Sequence, residues 1–165
     1  MGKQSKNIFR KILFIAIALI LLYYFPSTIY NRYFNPRLRP VTVKSGESEK
    51  LVKLPDGSTV YLAPKSTFIY TKEFPNDRRK TELRGTASVE VTEDTRPFKM
   101  KLKRNLIIGH QGELLITQQK NKVYELKIKS GDFSIEEYNL EGNIENIFDV
   151  HSGDEITLGA YVKMK

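Results

Sequence analysis

Two histidines, His110 and His151, are the only imidazoles in this 165-residue chain, and it has no cysteine. The two stand far apart, and neither has a second ligand at metal-binding spacing. Without cysteine there is no thiol nucleophile, no disulfide and no cysteine zinc site. The acid pairs Glu93-Asp94 and Glu136-Glu137 are sequence neighbours. On a strand such neighbours point to opposite faces, so neither pair serves one acid–base site there. No Gly-Lys-Ser/Thr phosphate loop and no Gly-x-Ser-x-Gly elbow occurs. The expectation is a protein that is no enzyme, with no catalytic residue, no metal site and no cofactor. What remains is charge. In Phe98-Lys99-Met100-Lys101-Leu102-Lys103 the alternation turns Phe98, Met100 and Leu102 inward and leaves Lys99, Lys101 and Lys103 on an outer face, with Arg96 and Arg104 near the ends. Such a basic strip suits phosphate, lipopolysaccharide or an acidic partner. It also suits a solvated face whose lysines guard a strand edge.

These residues must be positioned by strands. From Val41 onward helical periodicity is weak and short alternating runs dominate. Strands are predicted at 50–54, 59–62, 67–70, 80–84, 87–91, 98–102, 105–108, 113–117, 123–129, 133–136, 144–150 and 155–162. Their spacing, with turn residues between, predicts a β-sandwich or barrel. The strongest hairpin lies in Leu51-Val52-Lys53-Leu54-Pro55-Asp56-Gly57-Ser58-Thr59-Val60-Tyr61-Leu62. Pro55 presets the first corner and Gly57 takes the positive φ that closes the turn. Three further turns read apolar, basic, Ser, Gly, acid, around Gly46, Gly131 and Gly153. Each offers one adjacent acid, which suits a turn better than a metal loop.

Ile12 to Phe25 is an unbroken apolar or aromatic run. Extended to Tyr30 it reaches roughly 28 Å as a helix, against the hydrocarbon thickness of about 30 Å. Lys3, Lys6, Arg10 and Lys11 precede it; Arg32, Arg37 and Arg39 follow it. The run reads as a single-pass transmembrane anchor over 12–30, with a short cytoplasmic tail at 1–11 and a linker at 31–40. A cleaved signal peptide and a buried helix are the alternatives; bulky Tyr-Tyr-Phe-Pro rather than a small-x-small site follows the run. The net charge of +8 has a local origin. Residues 1–40 hold seven of the 27 basic residues and no acid, which leaves 20 basic against 19 acidic residues in 41–165. A nearly neutral folded part argues against nucleic acid as a partner.

Several landmarks stand in a telling order. Leu54-Pro55-Asp56-Gly57-Ser58 is followed by Ser66-Thr67-Phe68-Ile69-Tyr70, Arg79, Gly85-Thr86-Ala87-Ser88-Val89-Glu90-Val91 and Pro97-Phe98. The chain resembles the FecR domain over roughly residues 41 to 117. That family supplies the extracytoplasmic domain of bacterial transmembrane signalling regulators. Gly109 matches its later Leu-Gly-Thr segment. Thr86, Val89, His110 and Gly112 depart from the family pattern and mark a diverged member. The resemblance implies a jelly-roll-like sandwich over 41–165. Many members also carry a cytoplasmic domain that binds a sigma factor, and the tail before the run is too short for one. Leu54, Pro55, Asp56, Gly57, Ser58, Gly85 and Gly109 are the motif positions, expected to hold turns rather than touch ligands.

The expected function is a membrane-anchored recognition module in the bacterial inner membrane, its N-terminus cytoplasmic and its C-terminal domain periplasmic. It would sense or relay an envelope signal through contacts with another envelope protein. The alternatives are a structural or adhesion component of the envelope without a signalling role, and a small-ligand or glycan-binding β domain. The last predicts that Tyr61, Tyr70 or Tyr124 share one groove.

Overall fold

The structure, a computed structural model, describes residues 12–20, 23, 39–74, 79–119, 123–159 and, for their backbone, 163–164. The chain divides into two compact units, Met1–Pro36 and Arg37–Lys165. In the first, residues 12–20 are helical and all nine side chains are exposed, although every one is apolar. No described helix is long and apolar enough to cross a membrane. The expected span 12–30 is therefore not seen as such: the described helix covers its first half, and 21–22 and 24–30 lie outside the described residues, as do the tail 1–11 and the linker up to residue 38.

The second unit is all-β. Its strands are β1 (Pro40–Lys44), β2 (Lys50–Lys53), β3 (Thr59–Leu62), β4 (Thr67–Thr71), β5 (Arg79–Arg84), β6 (Ala87–Val91), β7 (Phe98–Leu102), β8 (Asn105–Gly109), β9 (Gly112–Gln118), β10 (Tyr124–Ser130), β11 (Phe133–Tyr138), β12 (Ile144–Val150), β13 (Glu155–Leu158) and β14 (Lys163–Met164). They form two sheets of seven strands, ordered β1-β4-β5-β7-β8-β11-β12 and β14-β13-β10-β9-β6-β3-β2. Both sheets grow in chain order. Hairpins are laid down alternately, first in one sheet and then in the other, each beside its predecessor. β6 crosses alone, so β5 and β7 run parallel, the one parallel pair among the described strands. Each sheet ends in edge strands, so the barrel alternative gives way to two open sheets.

Alternation explains the packing. In β5, β6, β7 and β8 every second residue is buried. Phe68, Leu83, Phe98, Met100, Ile107 and Ile135 of the first sheet join Val60, Leu62, Val89, Leu114, Ile116 and Leu126 of the second in one core. Burying a side chain of this size stabilises by roughly 1.5–3 kcal/mol. The two-residue β14 has no counterpart among the predicted strands, and neither has β1. It starts at Pro40 and offers only Val41 and Val43 as inward apolar residues, too short an alternation to read. Of the predicted run 155–162, strand covers Glu155–Leu158, and 160–162 lie outside the described residues.

The register lines up the two ends of the first sheet. At one rim Arg79 pairs with Phe98, Phe98 with Gly109, Gly109 with Phe133 and Phe133 with Val150. At the opposite rim Leu102 pairs with Asn105, Asn105 with Glu137, and Tyr138 with Ile144.

Candidate functional site

The first rim is built around Arg79, whose side chain is fully buried. Its Nη1 donates to Asp56 Oδ2 at 2.8 Å and to the Thr92 carbonyl at 2.9 Å. Its Nε donates to the Arg96 carbonyl at 2.9 Å and its Nη2 to the His110 carbonyl at 2.8 Å. The guanidinium carbon stands 5.6 Å from the centre of the Phe98 ring. Asp56 is held in turn: it accepts from the Ser58 hydroxyl at 2.8 Å and the Ser58 amide at 3.1 Å. Ser58 Oγ accepts from the Thr92 amide at 3.1 Å. One guanidinium thus ties the β2–β3 turn, the β6–β7 connection and the β8–β9 turn together. A buried charge is tolerable only when paired and hydrogen-bonded, and here each of the three guanidinium nitrogens has a partner.

The motif positions find their places here. Leu54 is buried in the core, its amide donates to the Ser58 carbonyl at 2.9 Å, and Gly57 donates back to the Leu54 carbonyl at 3.1 Å. Pro55 is the exposed corner and Gly57 has φ +88. Asp56 does more than close the turn, because it carries the counter-charge for Arg79. Gly109 lies under Phe133: a Cβ there would stand 2.3 Å from the ring. Gly85, at the far rim with φ +116, would put a Cβ 2.3 Å from Ser66 Oγ. Arg79 was a landmark of the resemblance. Its role was not legible from sequence, because three of its four polar partners are backbone carbonyls and the fourth, Asp56, lies in a turn 23 positions away.

The other titratable candidates take separate partners. His110 Nδ1 is 3.2 Å from the Asp94 carbonyl, and His151 Nδ1 is 2.8 Å from Asp132 Oδ1. Asp94 is gripped by Arg96, Nη2 to Oδ2 at 2.5 Å. That bond, with the Arg96 amide, holds the Asp94 carboxyl well below the usual carboxylate range. Arg96 also donates to the Phe74 carbonyl at 2.9 Å. Glu136 accepts from Tyr138 Oη at 2.5 Å on the outer face, while Glu137 turns inward and accepts from Asn146 at 3.2 Å. Tyr61 is exposed, whereas Tyr70 packs on the core and Tyr124 is buried; they do not line one groove.

The basic strip runs along the outer face of the first sheet. Lys99 and Lys101 project from β7 as expected. Lys103 does not share the strand: it follows β7 in the β7–β8 turn at φ 45. Register sets Lys80 directly beside Lys99, like charge against like. Lys80, Lys99, Lys101, Thr71 and Ile69 line an open groove of about 510 Å³. A second cavity, of about 430 Å³, lies at the far rim between the β7–β8 and β11–β12 turns.

The strand edges differ. β1 begins with a proline, β2 is four residues with a lysine at each end, and β14 has two residues. β12 is seven residues long, has only β11 beside it among the described strands, and exposes Ile144 (50%) and Ile147 (60%). It lacks the lysines, proline or shortness that normally blunt an edge.

Residues 41–107 match the family model described as FecR protein. None of the curated proteins matches. Among solved structures, two from Parabacteroides distasonis ATCC 8503, each of a "putative anti-sigma factor", are similar in fold. One, at 2.50 Å resolution, has a TM-score of 0.69 at 20% identity and covers 77% of this chain. The other, at 1.65 Å, has a TM-score of 0.66 at 22% identity and covers 78%. This chain spans 60% and 59% of those two chains. The Leu54–Ser58 turn and Arg79, which form one bonded unit, both fall inside the matched segment, and residues 41–107 are a FecR-type segment.

Proposed function

We propose that this chain is a non-enzymatic signalling regulator that recognises another envelope protein through the open edge of its first sheet. The observation that carries the reading is β12: a seven-residue open edge without lysine or proline, with Ile144 and Ile147 exposed. An extended segment adds to such an edge through main-chain hydrogen bonds, while alternate side chains give specificity. Self-pairing about Ile147 would set Glu145 opposite Asp149, like charges that oppose it. A partner strand carrying lysine or arginine is favoured instead. The FecR-type segment and fold likeness to structures named as anti-sigma factors support a signalling regulator. Sigma-factor binding is not carried over, since the likeness is one of fold.

The nine-residue exposed apolar helix at 12–20 supports membrane association of the N-terminal unit, because such a surface is costly in water. We place the all-β domain outside the cytoplasm on the same grounds as the sequence reading, with the basic residues before the run kept inside. Nucleic acid has no part in this proposal.

The test is site-specific photocrosslinking in intact cells. A crosslinking residue at position 147 is expected to capture one defined envelope protein, and one at Thr42, on the proline-led opposite edge, is not. Equal capture at both positions, or none at 147, would overturn the edge as the recognition surface.

A further inference from the structure

The far-rim cavity is lined by Lys101, Lys103, Arg104, Asn105, Leu106, Tyr138, Asn139, Leu140 and Gly142. Its size lies within the range of small-molecule sites, about 300–1,000 Å³. Three features set it apart from a solvated turn. Lys101, Lys103 and Arg104 converge on it, none of them has an ion pair with a described residue, and no acid lines it. Asn105 is 7% exposed, yet its Oδ1 is buried with no hydrogen-bond partner. Leu106, Leu140 (91% exposed) and the Tyr138 ring add apolar surface, with the Tyr138 hydroxyl already committed to Glu136. Buried amide oxygens in folded proteins nearly always find a donor. This one has none among the described residues, and the amide can turn about its last torsion without breaking a bond.

From these features we propose that the cavity binds a polyhydroxylated anion, a sugar carrying a phosphate or carboxylate. The three cations take the anionic group. Strand alternation turns Asn105 inward with Ile107, so a ligand reaches its amide once that side chain swings outward; a hydroxyl, which both donates and accepts, then meets either end of it. The C–H face of a sugar ring packs on Tyr138, Leu106 and Leu140. A zwitterion is disfavoured, since its ammonium would enter a lining of three positive charges with no acid. The inference goes beyond the recognition edge and does not depend on it: an envelope protein at β12 and a saccharide at this rim are separate contacts. The sugar's source is either free solute or a glycolipid headgroup, which share this chemistry.

Binding is read by amide chemical-shift titration of the Arg37–Lys165 unit within the full chain in detergent micelles. The probes are N-acetylglucosamine 1-phosphate, N-acetylglucosamine, inorganic phosphate, and phosphatidylcholine vesicles bearing a phosphorylated glycolipid. The phosphosugar or the glycolipid vesicle is expected to shift residues of the two turns, at least 10-fold more tightly than either fragment alone. The tighter of those two identifies the source. Lys101→Gln with Arg104→Gln, both at surface positions, is expected to weaken binding at least 10-fold, and Lys53→Gln to leave it unchanged. Asn105→Asp, which keeps the side-chain shape and adds repulsion, is expected to weaken it further, with the amide spectrum reporting that the fold is retained. Inorganic phosphate binding as tightly as the phosphosugar, shifts centred on other residues, or no saturable shift would overturn the proposal. Retained binding in the Lys101/Arg104 variant would do the same.

Discussion

The two rims of the first sheet use the same cationic chemistry to opposite ends. At one, Arg79 is fully buried and every face of its guanidinium is engaged by a carboxylate, three carbonyls or an aromatic ring. At the other, Lys101, Lys103 and Arg104 surround a cavity without an acid, beside Asn105, whose buried Oδ1 has no hydrogen-bond partner among the described residues. Desolvation makes the difference. A buried guanidinium left unpaired would cost several kcal/mol, so the fold had to close round it. Solvated cations carry no such demand and remain free to meet a ligand. Satisfied charge at the first rim therefore signals architecture; unsatisfied polar groups at the second signal binding capacity.

The sharpest way to break this contrast is to cut the first rim. Arg79→Met removes the cation and strands Asp56, Ser58 and three carbonyls, and is expected to cost about 3–5 kcal/mol in urea denaturation. A loss below about 1 kcal/mol, the worth of an exposed pair, would put the two rims in the same class. The double variant Arg79→Met with Asp56→Leu replaces the pair by apolar groups and should recover part of the loss, because such replacements are often neutral. Glycine tests the same rim by packing. Gly109→Ala brings a Cβ within 2.3 Å of the Phe133 ring, and such overpacking costs about 1–3 kcal/mol. The prediction is a lowered urea midpoint with an unchanged slope.

Much of this was legible in the sequence, and the illegible part has a physical cause. Strand alternation is local, so β3, β6 and β7 could be read from period-two burial. The turn at Pro55 and Gly57 was equally local. Asp56 as a counter-ion was not, because Arg79 reaches it across 23 positions of chain and its other partners are main-chain carbonyls, which carry no sequence signature. Lys103 misled for the converse reason: the alternation of Lys99 and Lys101 ran on past the strand end into a turn. The far-rim cavity was invisible because it is made by two turns, residues 103–104 and 139–143, that only the sheet register brings together.

At the second rim the contrast predicts tolerance. Lys101→Gln and Arg104→Gln break no pair with a described residue, and each is expected to change stability by less than about 0.5 kcal/mol. A loss approaching that of Arg79→Met would show that the far rim's charges are structural after all.

The smallest effect concerns pH at the first rim, where Asp94 and His151 both lie beyond the register line through Arg79 and Val150. Arg96 depresses the Asp94 carboxyl through its side-chain and amide hydrogen bonds. Its contribution is therefore present above the unfolded carboxylate value, about 3.9, and lost as pH falls through the folded one. Asp132 raises the His151 imidazole through a hydrogen bond, helped by the charge of Asp154 and Asp149. That contribution is present below about pH 6.5 and lost as pH rises through the folded value. His151 is exposed and Asp94 partly so, and screening by solvent reduces both effects. His151→Gln should flatten the decline in stability on the alkaline side of pH 6.5 without touching the acid limb, and Asp94→Asn should flatten only the acid limb. Urea midpoints from pH 3 to 9 separate the two. If His151→Gln leaves the alkaline decline intact, the ion pair with Asp132 does not persist in solution, and the charges that hold this rim together reduce to Arg79 and Arg96 with their carboxylates.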